Sequence, residues 1–440
     1  MSETGGARVD RPDRTQLHWD MVDLEALLPK DHRARIVWGF VMGLDLAPLY
    51  AKVKARDEGP GRPAIDPPLL LALWLYATLE GIGSARLLAR LCRSDVAYRW
   101  LCGGVSVNYH ALADFRVDHE ELLDRWLTES VAALAAEGVI SLQEIAVDGT
   151  KLQAAAGRGS FRESEGLARY ARAAAARIAR LKAEIEADPG AHETERRAAA
   201  ARAEREVSER AAKARDMLDK LRAEREQRAK THGEEEAKKS EPKASTTDPE
   251  ARLMCFPDGG MRPAYNLQLG CVPGADVIVE VMMTDRRNDT GLAVPMVDAI
   301  ARRYGAAPAR LLADTKYATQ DDIVALSERP GGTVCVYTPP PADKDTATAE
   351  SKRKRDWCRR HEPLALQEWR ARMATDEGRS VMRRRRHIET VNGAVKNRGL
   401  GRLHVRGLIK ARCEALLHAL AHNLSRAHVL RQLVLLQAAA

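Results

Sequence analysis

A short apolar run that stops at an aspartate constrains this chain most. Glu144-Ile145-Ala146-Val147-Asp148-Gly149 is too brief for a helix and reads as a buried strand ending in a turn. The pattern recurs at Arg310 to Ala313, a second apolar run that ends at Asp314. Strand-like runs also cover Tyr265 to Val272, Asp276 to Met283 and Thr333 to Tyr337. Helical patterning covers Gly291 to Tyr304 and Gln320 to Ser327. Pro339-Pro340-Pro341 ends the last strand, Ala342 to Ser351 reads as a loop, and the remainder reads helical. Three early strands followed by alternating helix and strand predict a mixed α/β domain.

Before that domain the pattern is helical. Pro67-Pro68 ahead of the apolar stretch Leu69 to Glu80 is a helix-start signal. Gly81-Ile82-Gly83 interrupts, and Ser84 can cap a helix over Ala85 to Cys92. A third helix is expected from Asn108 through Leu123 towards Ala136. Short helices with tight turns suit a helix-turn-helix DNA reader, and they suit a small helical bundle equally.

A segment of another character interrupts the α/β domain. Leu167, Ala171, Ala174, Ile178, Leu181 and Ile185 alternate at four and three spacing, the seam of a coiled coil. Asp188-Pro189-Gly190 signals a turn, and Val207, Ala211, Ala214, Leu218 and Leu221 repeat the seam. The two helices are expected to fold back as an antiparallel coiled-coil hairpin. Lys230 to Pro249 is highly charged and poor in apolar residues, so it reads as linker.

Charge narrows the partners. The formal net charge is +8, and from Ser351 to Arg412 there are 19 Lys/Arg against 6 Asp/Glu. Such a block suits a polyanion, of which nucleic acid is the commonest; a solvated helical surface would look the same. The 7 cysteines form no CxxC pair, which argues against a zinc ribbon and for a reducing compartment. The N-terminus is polar and no apolar run is long enough to span a bilayer comfortably, so a cytoplasmic protein is expected.

Chemistry enters with Asp148, Asp314 and Glu389. Carboxylates at strand ends can converge at one sheet edge and hold hard divalent cations. Two such ions can activate an attacking oxygen and stabilise the leaving oxygen of a phosphodiester. Taken singly, each residue also fits a turn, a cap or a surface ion pair. Arg385, Glu389 and Lys396 fall within ~40° of one helix face at ~100° per residue. That puts a carboxylate for metal between two cations for phosphate.

These pieces resemble the DDE-class insertion-sequence transposases, in particular insertion-sequence group eleven-eighty-two with an InsH-like N-terminal domain. The resemblance runs from about Leu17 to Arg431. It rests on Gly61-Arg62-Pro63-Ala64-Ile65-Asp66-Pro67, Leu73-Trp74-Leu75-Tyr76, Tyr98 to Gly104 and Asp114-Phe115-Arg116 in the N-terminal part. Further on it rests on Ala146-Val147-Asp148-Gly149-Thr150, Asp248-Pro249-Glu250-Ala251-Arg252, Tyr265-Asn266-Leu267-Gln268 and Ala313-Asp314-Thr315-Lys316-Tyr317. The Arg385-x3-Glu389-x6-Lys396 signature and Ala421-His422-Asn423-Leu424 complete it. One departure is Met382, where related transposases often carry a tyrosine that helps orient DNA.

The resemblance implies a ribonuclease-H-like catalytic core at 139–161 and 251–440. An N-terminal helical DNA-binding domain would span 1–138, and a coiled-coil insertion with linker 162–250. It implies catalysis and metal binding by Asp148, Asp314 and Glu389, with Mg2+, two ions, as cofactor and Mn2+ as a substitute. Arg385, Lys396, Arg402 and Arg406 would contact DNA. Partners would be double-stranded DNA, as transposon ends and target, and a second copy in a synaptic homodimer, with no membrane and a nucleoid-associated location. The activity implied is metal-dependent cleavage at terminal inverted repeats and strand transfer. A nuclease of the same fold that cuts without joining, or a DNA-binding relative that has lost catalysis, would share these features.

Overall fold

The computed structural model describes residues 23–53, 55, 63–187, 194–232, 241–341, 353 and 357–439. Among them the first part is helical: α1 (Arg33–Met42), α2 (Ala47–Ala51), α3 (Pro67–Leu79), α4 (Ala85–Ser94), α5 (Val96–Cys102), α6 (Tyr109–Phe115) and α7 (Glu120–Ala136). Helix α3 is buried from Pro67 through Thr78, as a helix apolar all round must be. Its prolines occupy the first turn, where no amide donor is needed. Trp74 donates its indole N–H to the Leu112 carbonyl at 2.8 Å, and the Arg116 guanidinium lies 4.8 Å from the centre of the same indole. Ser84 caps α4 by accepting from the Leu87 amide. The helix expected from Asn108 to Ala136 is two, α6 and α7, and Asn108 caps the first through the Ala111 amide.

The sheet begins with β1 (Glu144–Gln153), which carries on past the turn expected at Gly149 because β5 (Met261–Val272) pairs with it antiparallel from Ala146 to Gln153. Strand β5 also pairs antiparallel with β4 (Arg252–Cys255) and β6 (Val277–Thr284). On the other side of β1 lie β7 (Arg310–Leu312) and then β8 (Cys335–Tyr337), both parallel. The result is a mixed, six-stranded sheet in the order β4-β5-β1-β7-β8, with β6 also on β5.

Two long helices, α8 (Ser164–Ala187) and α9 (Thr194–His232), leave the sheet domain and pack on each other. Leu167, Ala214 and Leu218 form their own small core, and Arg177 pairs with Glu204. The Asp188-Pro189-Gly190 turn lies outside the described residues. The linker expected over Lys230 to Pro249 does not hold at its end. There β3 (Ala244–Ser245) pairs with β2 (Phe161–Arg162), and Ser245 and Asp248 are fully buried. Polar residues hold backbone: Ser245 Oγ accepts from the amides of Thr247 and Asp248, and Asp248 Oδ1 accepts from the Gly407 amide at 3.1 Å as well as from the Tyr265 hydroxyl at 2.7 Å.

The described residues continue through α10 (Ala293–Tyr304), α11 (Gln320–Ser327), α12 (Leu364–Ala374), α13 (Asp376–Arg383), α14 (Arg386–Asn397) and α15 (Leu408–Ala439). Helix α15 packs on β6, α7 and α3, joining the helical part to the sheet. Asn423 exchanges two hydrogen bonds with the backbone of Ile278, at 2.7 and 2.8 Å. Arg303 of α10 lies between Glu280 of β6 and Asp124 of α7, and Arg412 of α15 reaches the same Asp124. No helix of the described residues is long and apolar enough to cross a membrane.

Arg303 and Glu280 expose only 8% and 3% of their side chains, so losing one leaves a buried charge alone. Arg303→Ala should therefore cost about 3–5 kcal/mol in chemical denaturation. A loss below about 1 kcal/mol, the worth of a surface pair, would show that the network does not join the two parts.

Candidate active site

The site forms where β7 stops. The last rung between the parallel strands pairs Ala146 with Leu312. Asp148 and Asp314 thus lie two residues beyond the same rung on neighbouring strands. Past it, β1 keeps β5 on one side and has lost β7 on the other, until Gln153 bridges to Arg402.

The Asp148 carboxylate meets α14. Arg385 Nη2 donates to Asp148 Oδ1 at 3.1 Å, and Asn392 Nδ2 donates to Oδ2 at 2.9 Å. The same guanidinium donates through Nη1 to Glu389 Oε1 at 2.8 Å. Arg385 immediately precedes α14, and Glu389 and Asn392 follow four and seven residues on, so all three share one side of the helix. The bridging arginine is mostly buried, while Glu389 is 61% exposed.

Burial pushes the Asp148 carboxyl above its ordinary range. Arg385 opposes the shift, Asp289 and Glu389 add to it, and the Asn392 hydrogen bond opposes it again. Asp289 comes from the loop between β6 and α10. Its Oδ1 accepts from Asn266 Nδ2 at 2.7 Å and from Gln268 Nε2 at 2.6 Å. Gly149 is required beside it, because a Cβ there would overlap the Asp289 carboxylate.

Asp314 is exposed. Its Oδ1 accepts from the Thr315 amide at 2.7 Å, and its carbonyl accepts from the Tyr317 amide at 3.0 Å, so it opens a tight turn. Among the described residues no three acidic, histidine or cysteine side chains stand together as a metal-binding group. Arg385 occupies the space between Asp148 and Glu389. The donor set is nonetheless all hard oxygen, which suits magnesium rather than a softer metal. Buried Gln268 Oε1 and Asn392 Oδ1 also lack a hydrogen-bond donor among the described residues.

The basic residues divide into two groups. Arg385 belongs to the carboxylates. Arg402 and Arg406 line an open cleft together with Arg158, Arg262 and Gln153, and Arg406 Nε donates to the Ala155 carbonyl at 3.2 Å. Lys396 is exposed near the end of α14 and does not line that cleft. Met382 is half-buried and packs against the core. Sequence reasoning missed Asn392, Asp289, Gln268, Arg158 and Arg262. Asn392 had a signal in its seven-residue spacing from Arg385; the others come from separate strands and loops that only the fold unites.

Two family models match the chain. A transposase domain (DUF772) matches residues 22–118, and a transposase DDE domain matches residues 219–424. The second match contains Asp314, Arg385, Glu389 and Lys396, while Asp148 lies between the two. No curated protein and no solved structure matches the chain.

A carboxyl with a raised value binds its proton more tightly in the folded chain than in the unfolded one. Between the unfolded value, about 3.9, and the raised one, folded stability falls as pH rises. Asp148→Asn removes that titration. Its stability relative to the parent should grow as pH rises from about 4 and level off once Asp148 is ionised. Urea melts in EDTA at stepped pH measure this, and a difference that stays constant across the range would contradict the raised value.

Proposed function

Because the chain belongs to the DDE-class insertion-sequence transposases, enzymes that act on DNA, we propose that Asp148, Asp314 and Glu389 form its catalytic, cation-holding triad. The observation that carries this reading is the register: Asp148 and Asp314 follow the same rung of two parallel strands, and Arg385 ties Glu389 to Asp148. The order β6-β5-β1-β7-β8, with β6, β5 and β1 antiparallel and β7 and β8 parallel, supports a ribonuclease-H-like core. In this reading 1–138 is a DNA-binding helical domain, 139–161 with 251–440 the catalytic core, and 162–250 an inserted coiled-coil hairpin. The motif set supports group eleven-eighty-two within that class.

The reaction has two displacements. Water attacks a phosphodiester at the end of a terminal inverted repeat, the bond to the 3′ oxygen breaks, and a 3′ hydroxyl is freed. That hydroxyl then attacks a phosphodiester of target DNA, joining the strands and releasing a new 3′ hydroxyl on the target. Magnesium, two ions with manganese as a substitute, activates the attacking oxygen and stabilises the leaving one when bound. The chain's part is to hold the carboxylates: Asn392 and Arg385 fix both oxygens of Asp148, and Arg385 fixes Glu389. Arg385, Lys396, Arg402 and Arg406 contact DNA phosphates, and the cleft adds Arg158 and Arg262. A second copy completes a synaptic dimer on two ends. The exposed apolar side chains Leu433, Leu435 and Leu436 near the end of α15 are a surface such a copy could cover.

Asp148→Asn, Asp314→Asn and Glu389→Gln keep shape and remove a negative ligand. Each should abolish Mg2+-dependent cleavage of end DNA and leave end binding within about threefold of the parent, since no phosphate-neutralising cation is lost. A variant that still cleaves would take that residue out of the triad.

Grip on DNA separates from chemistry in a salt series. Lys396→Ala, Arg402→Ala and Arg406→Ala should each weaken end binding and flatten the log–log salt dependence by ~1 unit. Arg385→Ala should also lose cleavage, because it leaves Asp148 and Glu389 without their shared cation. An unchanged salt slope in any of the four removes that side chain from the phosphate backbone.

A further inference from the structure

Asp289 lies outside the triad, and its surroundings give it a role in the same centre. It reaches β1 at Gly149 from the loop before α10, whereas Asp148 is met by α14. The two approach around Gly149, on the stretch of β1 that β7 has left uncovered. Gly149 stands opposite Gln268 in the β1–β5 register, and a Cβ at Gly149 would lie 2.5 Å from Gln268 Nε2. The missing side chain is what lets the Asp289 carboxylate lie against the backbone next to Asp148.

The way Asp289 is held leaves it one oxygen to use. Asn266 and Gln268 both donate to Oδ1, and no hydrogen bond among the described residues falls on Oδ2. No cation pairs with Asp289 among the described residues, although Asp148 and Glu389 share Arg385. Two buried polar atoms of the neighbouring elements have no hydrogen-bond partner among the described residues. Gln268 is 0% exposed, and the oxygen of the carboxamide that donates to Asp289 has no donor of its own. Tyr317 is 1% exposed, follows Asp314 by one tight turn, and its hydroxyl has no partner. Of the charges acting on that phenol, Asp289 and then Asp148 are the strongest. A loop anchor would need only the two carboxamide bonds. A second carboxylate oxygen and a free carbonyl oxygen on the side chain that aims it are the kinds of donor a hard cation takes.

We propose that Asp289 is a fourth carboxylate of the metal centre, holding a divalent cation together with Asp148 across Gly149. The proposal rests on the triad reading for Asp148 alone. It gives Asn266 and Gln268 the task of aiming Asp289, as hydrogen bonds behind a metal ligand commonly do. It also accounts for glycine directly after the first aspartate.

Mn2+ binding to the full chain, followed by electron paramagnetic resonance, tests it on the parent, Asp148→Asn and Asp289→Asn. Asp289→Asn should bind Mn2+ at least about tenfold more weakly. Its melting temperature without metal and its affinity for end DNA should match the parent's. Parent-like Mn2+ binding by Asp289→Asn, with Asp148→Asn defective, would overturn the fourth carboxylate and leave the triad standing. Parent-like binding by both would overturn the triad reading and this proposal with it. Should Asp289→Asn fail to fold, the parent chain decides. Fe2+ with peroxide, which cuts backbone beside a bound ion, should cleave near both Asp148 and Asp289. Cuts near Asp148 with none near Asp289 would refute the proposal.

Discussion

Among the described residues strand β6 is paired on one side only, and its residues are largely buried. A buried backbone donor or acceptor without a partner costs as much as a lost hydrogen bond, so the other edge has to be answered by side chains. Asn423 takes both groups of Ile278, the Tyr304 hydroxyl donates to the Val279 carbonyl, and Arg412 Nε donates to the Val281 carbonyl. His422 and Arg426 meet the carbonyls of Asp276 and Ala275 just before the strand. These partners sit on α10 and α15, so both helices are located by the edge they complete. Arg303 and Arg412 then carry the constraint to Asp124 on α7. Fixing β6 fixes β5, β5 fixes the register of β1, and that register sets where Asp148 lies.

Much of this could be read from the residues, and what could not has physical reasons. The strands, the capped helices and the helical character of α8 and α9 follow local periodicity, which one segment reveals by itself. Three features do not. The break between α6 and α7 is absent from a pattern that stays helical on either side of it. Strand β1 outlasts its own turn signal because β5, more than a hundred residues later, pairs with it through Gln153. The tail of the supposed linker looks disordered by composition, yet its serine and aspartate are polar because they hold backbone. In the site, Asp148, Arg385 and Glu389 were legible from strand-end position and helix spacing. The partners of Asp289 were not, since β5 and the loop after β6 meet at Gly149 only when the sheet forms.

The site and the basic cleft divide the work by dielectric. Arg385 lies among carboxylates in a partly buried setting, where one positive charge offsets two negative ones and holds them in place. Arg402 is solvent-exposed, as is Arg406, and their attraction to a polyanion depends on displaced counterions and weakens with salt. Charge that orders the centre and charge that collects substrate therefore respond differently to ionic strength.

The two-rung ladder between β2 and β3 has a geometric consequence. It joins Phe161 to Ser245 and Arg162 to Ala244, and the hydroxyls of Ser160 and Ser245 lie 2.7 Å apart beside it. The inserted helices thus depart and return beside one clasp, like a handle, and α9 is held again where Lys220 pairs with Asp285 and Glu224 with Arg252. A handle closed at its base transmits no change of length to what it is fixed on, and lengthening a closed loop costs little entropy. Helix α8, with 24 residues, extends about 36 Å from that base. Adding or removing whole turns in the two helices would change their reach by about 5.4 Å each time without altering the spacing of the carboxylates.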